Sequence, residues 1–127
     1  MQSAAASDTS APVWVVCLCA AWCVACREWQ PVFEDLARRH PGLRFAWVDI
    51  EDEDDAMGDV DIETFPTLLV ARGGDALFLG PVLPSVPGVE RLVTSLQAQA
   101  QPSANVAPTA KVLLTRLQSG VLARAAL

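Results

Sequence analysis

The chain is short of positive charge and has one histidine, His40. It carries 9 Lys and Arg against 15 Asp and Glu, a net charge of -6 and a pI near 4.5. Phosphate backbones and anionic lipid surfaces call for basic patches, so nucleic acid and membrane partners are not expected. No stretch reaches the roughly 18 uninterrupted apolar residues of a spanning helix. The longest apolar run, VWVVCLCAAWCVAC (13–26), leads directly into a cysteine-rich segment. Residues 1–12 contain no Lys or Arg, whereas a secretory leader begins with a basic region. These features lead us to expect a cytoplasmic protein. A calcium loop is also missing. Such a loop needs Gly at its sixth position. Counted from Asp49 that position is Asp54, and from Asp52 it is Met57.

The 127 residues are 52% hydrophobic, which suits one domain with a core that needs no disulfide staples. Residues 1–12, rich in Ala and Ser, read as a loose segment. VWVVCLC (13–19) reads as a buried strand. From Cys23 the apolar spacing becomes helical, with Val24, Trp29, Val32, Phe33, Leu36 and Ala37 near one face. Pro31 is expected to kink this helix, and Pro41 and Gly42 to end it. Strands follow at 43–50 and 67–72. Gly73-Gly74 reads as a hairpin turn into a strand at 76–80. Pro81, Pro84 and Pro87 mark a stiff loop before an amphipathic helix at 89–100. Residues 101–108 read as a linker. A last amphipathic helix is expected at 109–127, with Thr109 as N-cap and a stripe of Val112, Leu113, Leu117, Val121 and Leu122. The fold class is therefore α/β. It has a mixed sheet of four strands, a parallel pair at its start, an antiparallel hairpin at its end, and an added C-terminal helix.

All four cysteines fall within WVVCLCAAWCVAC (14–26). Cys23 and Cys26 stand where strand turns into helix. Free N–H groups and the helix dipole there favour the thiolate, which is the nucleophilic form. A partner three residues on, within the first helical turn, is placed to attack a mixed disulfide and release it. This makes Cys23 the attacking sulfur and Cys26 the resolving one; the alternative is two packed small hydrophobes. Cys17 and Cys19 alternate onto one face of the strand. Cys17 is expected under the motif as an auxiliary thiol able to pair with Cys26, or both are packed core thiols. Four thiolates would suit zinc or an iron–sulfur cluster. Two of these lie mid-strand, however, so no metal is expected.

Ala21-Trp22-Cys23-Val24-Ala25-Cys26, Pro31, Val48-Asp49-Ile50-Glu51 and Phe65-Pro66-Thr67-Leu68-Leu69 together resemble the thioredoxin superfamily over residues 13–98. The resemblance implies a thioredoxin-like fold over 13–100, followed by the linker and a helical extension. It implies thiol–disulfide exchange on protein disulfides, with no cofactor beyond a dithiol electron donor or acceptor. It also implies a cis proline at Pro66 facing the cysteine pair, a groove lined by Trp22, Phe65, Pro66 and Thr67, and alignment of substrate by the peptide bond of Phe65 or Thr67. Two departures stand out. Val24-Ala25 replaces the Gly-Pro of thioredoxins proper. Cys17 stands where the family has a buried proton-transferring aspartate, with Trp47 in place of its lysine partner, which should slow turnover. The second candidate function is a thioredoxin-fold binding or chaperone-like module whose dithiol is vestigial or regulatory.

Residues 49–63 hold 9 of the 15 acidic residues. They read as a solvated loop and short helix, or as a patch selecting basic partners beside the groove. His40 reads as a helix C-terminal cap. Trp14, Trp29 and Trp47 read as core. Little chain precedes the first strand, so a sheet edge is expected to be uncovered. The last helix is expected to pack back over the exposed region or to join a second copy in a homo-oligomer.

Overall fold

The computed structural model describes residues 12–58, 60, 62, 64–99, 106–120 and 122. The elements run β1 (Val13–Cys19), α1 (Val24–Arg39), β2 (Arg44–Asp49), α2 (Asp54–Met57), β3 (Thr67–Arg72), β4 (Asp75–Pro81), α3 (Val86–Gln97) and α4 (Pro108–Gln118). The four strands form one sheet in the order β2-β1-β3-β4. β1 pairs parallel with β2 and antiparallel with β3, and β3 pairs antiparallel with β4 through Gly73, whose φ of 58° suits glycine.

Both faces of the sheet are covered, which explains why β1 and the middle of β3 (68–71) are apolar without alternation. Val13, Val15, Cys17 and Cys19 face one layer, built from Cys26, Trp29, Phe33 and Leu36 of α1 and Val89, Val93 and Leu96 of α3. Val16 and Leu18 face the other, where Ala110, Leu113, Leu114 and Leu117 of α4 meet Met57 of α2. α4 therefore packs back onto a sheet face. Its buried stripe differs from the expected one: Leu114 is fully buried, whereas Val112 is 48% exposed. The helix starts one residue early, with Pro108 in its first turn and Ala107 at the N-cap in place of Thr109. Val121, residues 123–127, the expected linker up to 105, and residues 1–11 lie outside the described residues. Gly58 closes α2 at φ 57°, and the Arg116 side chain of α4 lies where a β-carbon would project.

α1 runs through Pro31 as one helix and ends at His40, the C-cap residue, whose N–H donates to the Ala37 carbonyl. His40 Nε2 also lies 2.8 Å from Glu90 Oε2, tying the end of α1 to α3. α3 begins three residues earlier than the hydrophobic spacing suggests. Ser85 caps it by accepting from the Gly88 N–H at 3.3 Å, and Pro87, read from sequence as loop, is tolerated in the first turn because no intrahelical N–H is needed there. Trp29 is core; Trp14 and Trp47 are only partly buried, on opposite faces of the sheet.

Arg72, on β3, is buried and donates to the carbonyls of Gln99 and Gln97, both at 2.8 Å, and of Leu96 at 3.4 Å. A guanidinium at a helix C-terminus satisfies orphan carbonyls and complements the dipole. Arg72→Met should lower unfolding free energy by about 3 kcal/mol, since charge-assisted bonds are lost and buried carbonyls are left unpaired. Urea denaturation reads this directly, and an unchanged midpoint would contradict it.

Candidate active site at the end of the first strand

β1 ends at Cys19. The chain then turns through Ala20, Ala21 and Trp22, closed by the Cys23 N–H donating to the Ala20 carbonyl at 3.0 Å. Cys23 is the N-cap of α1, with extended backbone at φ -85° and ψ 119°, and it makes no side-chain capping bond. Cys23 thus holds the N-cap position, where a capping side chain would ordinarily stand, at the helix end whose first N–H groups have no partner within the helix. The first turn of α1 carries no acidic side chain to compete for them. Cys23 is partly exposed, whereas Cys17, Cys19 and Cys26 are each at most 1% exposed.

The structure joins Cys26 to Cys19 as a disulfide, with their Cα atoms 5.8 Å apart, and leaves Cys17 and Cys23 as free thiols. The place expected for Cys17, beneath the motif and against Cys26, is taken by Cys19. Alternation along the strand puts both thiols on the same face, but Cys19 is nearer the helix by one pleat, about 7 Å. Cys17 Sγ lies 3.7 Å from Cys19 Sγ. Burial pushes the Cys17 thiol up from 9.0 to about 12, opposed by the Trp29 side chain beside it. The Trp29 indole N–H is buried without a hydrogen-bond partner of its own among the described residues. A thiol held protonated to such a pH cannot serve as a proton acceptor near neutrality.

That shift has a consequence for stability. The unfolded chain releases the Cys17 proton near pH 9 and the folded chain keeps it until about 12. Stability is therefore intact below pH 9 and falls as pH rises toward 12, by up to about 4 kcal/mol. The sequence has no tyrosine to titrate in this window. Denaturation measured from pH 8 to 11 should show the decline in the native protein and a flatter limb in Cys17→Ala. Equal slopes would contradict it.

The rim is built from three segments. Trp22 is 60% exposed, and its ring meets Phe65 edge-on at 5.5 Å between centroids. The Phe65–Pro66 peptide bond is cis. Pro66 is buried, its carbonyl accepts from the Val82 N–H at 3.0 Å, and Thr67 Oγ1 donates to the Thr64 carbonyl at 2.6 Å. Trp22 Nε1 donates to Glu51 Oε2 at 3.0 Å, and the Ala21 N–H donates to Asp49 Oδ2 at 3.2 Å. The other Asp49 oxygen accepts from the N–H groups of Glu51 and Asp52 at 2.8 and 3.3 Å. The structure thus brings Trp22, Cys23, Phe65 and Pro66 to one end of the sheet, and it adds two carboxylates, Asp49 and Glu51. Sequence reading placed the acidic stretch near the groove but did not single out these two. Their position at the end of a strand parallel to β1 was the available signal. Among the described residues no cluster of three His, Cys, Asp or Glu side chains is arranged to hold a metal, and no helix is long and apolar enough to cross a membrane.

The family model for thioredoxin matches residues 3–80, which contain β1, α1, the whole rim and the first three strands of the sheet. The chain belongs to the thioredoxin family. A putative thioredoxin H10 of Arabidopsis thaliana is 37% identical over 62 residues, covering 49% of this chain and 40% of that protein. Thioredoxin-1 of Caenorhabditis elegans is 33% identical over 58 residues, covering 46% of this chain and 50% of its own length. The chain thus spans about half the length of the curated thioredoxins it matches. The fold resembles that of Fasciola hepatica thioredoxin, with a TM-score of 0.61 at 24% identity over 70% of this chain and 85% of that one. It also resembles a poplar thioredoxin h, with a TM-score of 0.61 at 21% identity over 70% of this chain and 79% of that one. α4 supplies the apolar cover of the second sheet face.

Proposed function

We propose that the protein is a thiol–disulfide oxidoreductase that reduces protein disulfides, with Cys23 as nucleophile. The observation that carries this reading is the position of Cys23: a partly exposed thiol at the uncapped start of α1, beside the aromatic rim of Trp22 and Phe65. The Cys23 thiolate attacks one sulfur of a substrate disulfide and expels the other as a thiolate. Cys26 then attacks Cys23 Sγ, freeing the second substrate thiol and closing a Cys23–Cys26 disulfide. A dithiol protein returns two electrons, and no cofactor takes part. Pro66 and the backbone of Phe65 and Thr67 align the substrate chain. Asp49 and Glu51 at the rim favour basic substrate segments. The working unit is the domain over 13–100, with α4 (Pro108–Gln118) as its cover, and its place is the cytoplasm.

A variant with Cys26→Ser tests the reading. Without its resolving thiol, Cys23 should accumulate a mixed disulfide with a reducible protein such as insulin, visible by mass and reversed by dithiothreitol. No adduct on Cys23 would overturn the reading. One observation favours a second reading, the binding module with a regulatory dithiol: Cys26 is bridged to Cys19, which leaves Cys23 without a resolving thiol in this state. That module would give no adduct and no insulin reduction.

A further inference from the structure

The exchange chemistry proposed above needs two cysteines, yet the buried sulfur joined to Cys26 belongs to neither Cys23 nor the strand position matching the family's acid. We propose that Cys19 is a third redox-active cysteine, which takes the disulfide from the Cys23–Cys26 pair and stores it beneath the protein surface. This deepens the oxidoreductase reading and rests on it for the origin of the disulfide.

The fold supplies the geometry. Cys19 is the last residue of β1 and Cys26 lies in the first turn of α1, with the tight turn through Ala20–Trp22, the N-cap Cys23, and Val24 and Ala25 of α1 between them. Both side chains point into the same core layer, and their Cα spacing of 5.8 Å lies within the range that permits a bridge. Cys17 is excluded from this role by one pleat of the strand; its sulfur contacts Cys19. The step is an internal exchange. Cys19 Sγ gives up its proton and bonds to Cys26 Sγ as the Cys23–Cys26 bond breaks. The electron pair of that bond stays on Cys23 Sγ, which takes up the proton. No electron leaves the chain, and no oxidant beyond the substrate already reduced is required.

The exchange moves the disulfide from a partly exposed sulfur to two sulfurs that are each 1% exposed. Cys23 becomes a free thiol again but has lost its resolving partner. A mixed disulfide formed on Cys23 in this state persists until a reductant opens the Cys19–Cys26 bridge and frees Cys26 to resolve it. The protein thus alternates between a turnover form and a single-thiol capture form, according to whether Cys26 is bonded to Cys23 or to Cys19.

Chymotryptic mapping separates the two bonds. Cleavage after Leu18, Trp22 and Trp29 yields CAAW (19–22), which holds Cys19, and CVACREW (23–29), which holds Cys23 and Cys26. The full-length protein would be reduced, treated with one equivalent of diamide, unfolded with N-ethylmaleimide present, and digested. The expected product is CAAW linked to CVACREW, with maleimide on Cys23. Cys19→Ala should abolish the linked peptide and the Cys23 label together, and give an internal Cys23–Cys26 loop. Cys17→Ala should leave the linked peptide in place. A wild-type protein that gives only the internal loop overturns the proposal, and needs no variant to fold. The linked peptide in the native protein, together with no insulin adduct on Cys23 in the Cys26→Ser variant, would uphold the storage bridge and refute the oxidoreductase reading. An adduct together with only the internal loop would do the reverse.

Discussion

Replacing Cys23 with serine should cut disulfide reduction on the order of a thousandfold or more, to the background of the reductant itself. An exposed hydroxyl at neutral pH is a far weaker nucleophile than a thiolate, and the other three sulfurs are too buried to meet a substrate directly. The fold should survive, because Cys23 is partly exposed and serine is a favoured N-cap residue, so α1 gains a capping oxygen at this position. Turbidity from insulin reduction under dithiothreitol gives the rate, and circular dichroism confirms the fold. A folded Cys23→Ser protein with native activity would move the chemistry elsewhere in the chain.

The second large effect concerns stability. Leu113→Ala combined with Leu117→Ala should cost about 5 kcal/mol, comparable to the whole stability of many small domains. Both leucines are fully buried against the sheet face that carries Val16, Leu18, Leu69 and Ala71. Truncating them leaves a cavity between α4 and strands that are apolar on both sides, and β1 loses its backing just before the cysteine turn. Val112→Ala, on the exposed side of the same helix, should change stability by less than about 0.5 kcal/mol. Thermal unfolding of the two variants makes the comparison. Equal, small effects would show that α4 does not cover the sheet in solution.

The features that sequence revealed best were those governed by local rules. β1 was legible from its β-branched apolar run, the β3–β4 hairpin from Gly73-Gly74, and α1 from apolar spacing that continues through Pro31. The start of α3 is hidden in the sequence because prolines suggest loop, whereas Ser85 and Pro87 form an ordinary helix start. On α4, apolar spacing alone does not separate the exposed Val112 from the buried Leu114, because the rotation of a helix against a sheet depends on the layer it meets, and that layer is made of residues distant in sequence. Arg72 was not singled out, since its partners are carbonyls that carry no mark in a sequence. Cys19 illustrates the same limit. Strand alternation gives its face, but its depth relative to Cys26 follows from how α1 leaves the sheet.

The most direct test is a count of thiols in the folded protein equilibrated across a series of dithiothreitol redox buffers, which leave no lasting mixed disulfide on Cys23, acid-quenched, and labelled in denaturant. The account predicts a single two-electron step, from four free thiols to two, with Cys17 labelled throughout and Cys26 always in the bridge. Four free thiols at every poise would contradict it, because a protein that closes no disulfide with Cys26 has no exchange chemistry to perform.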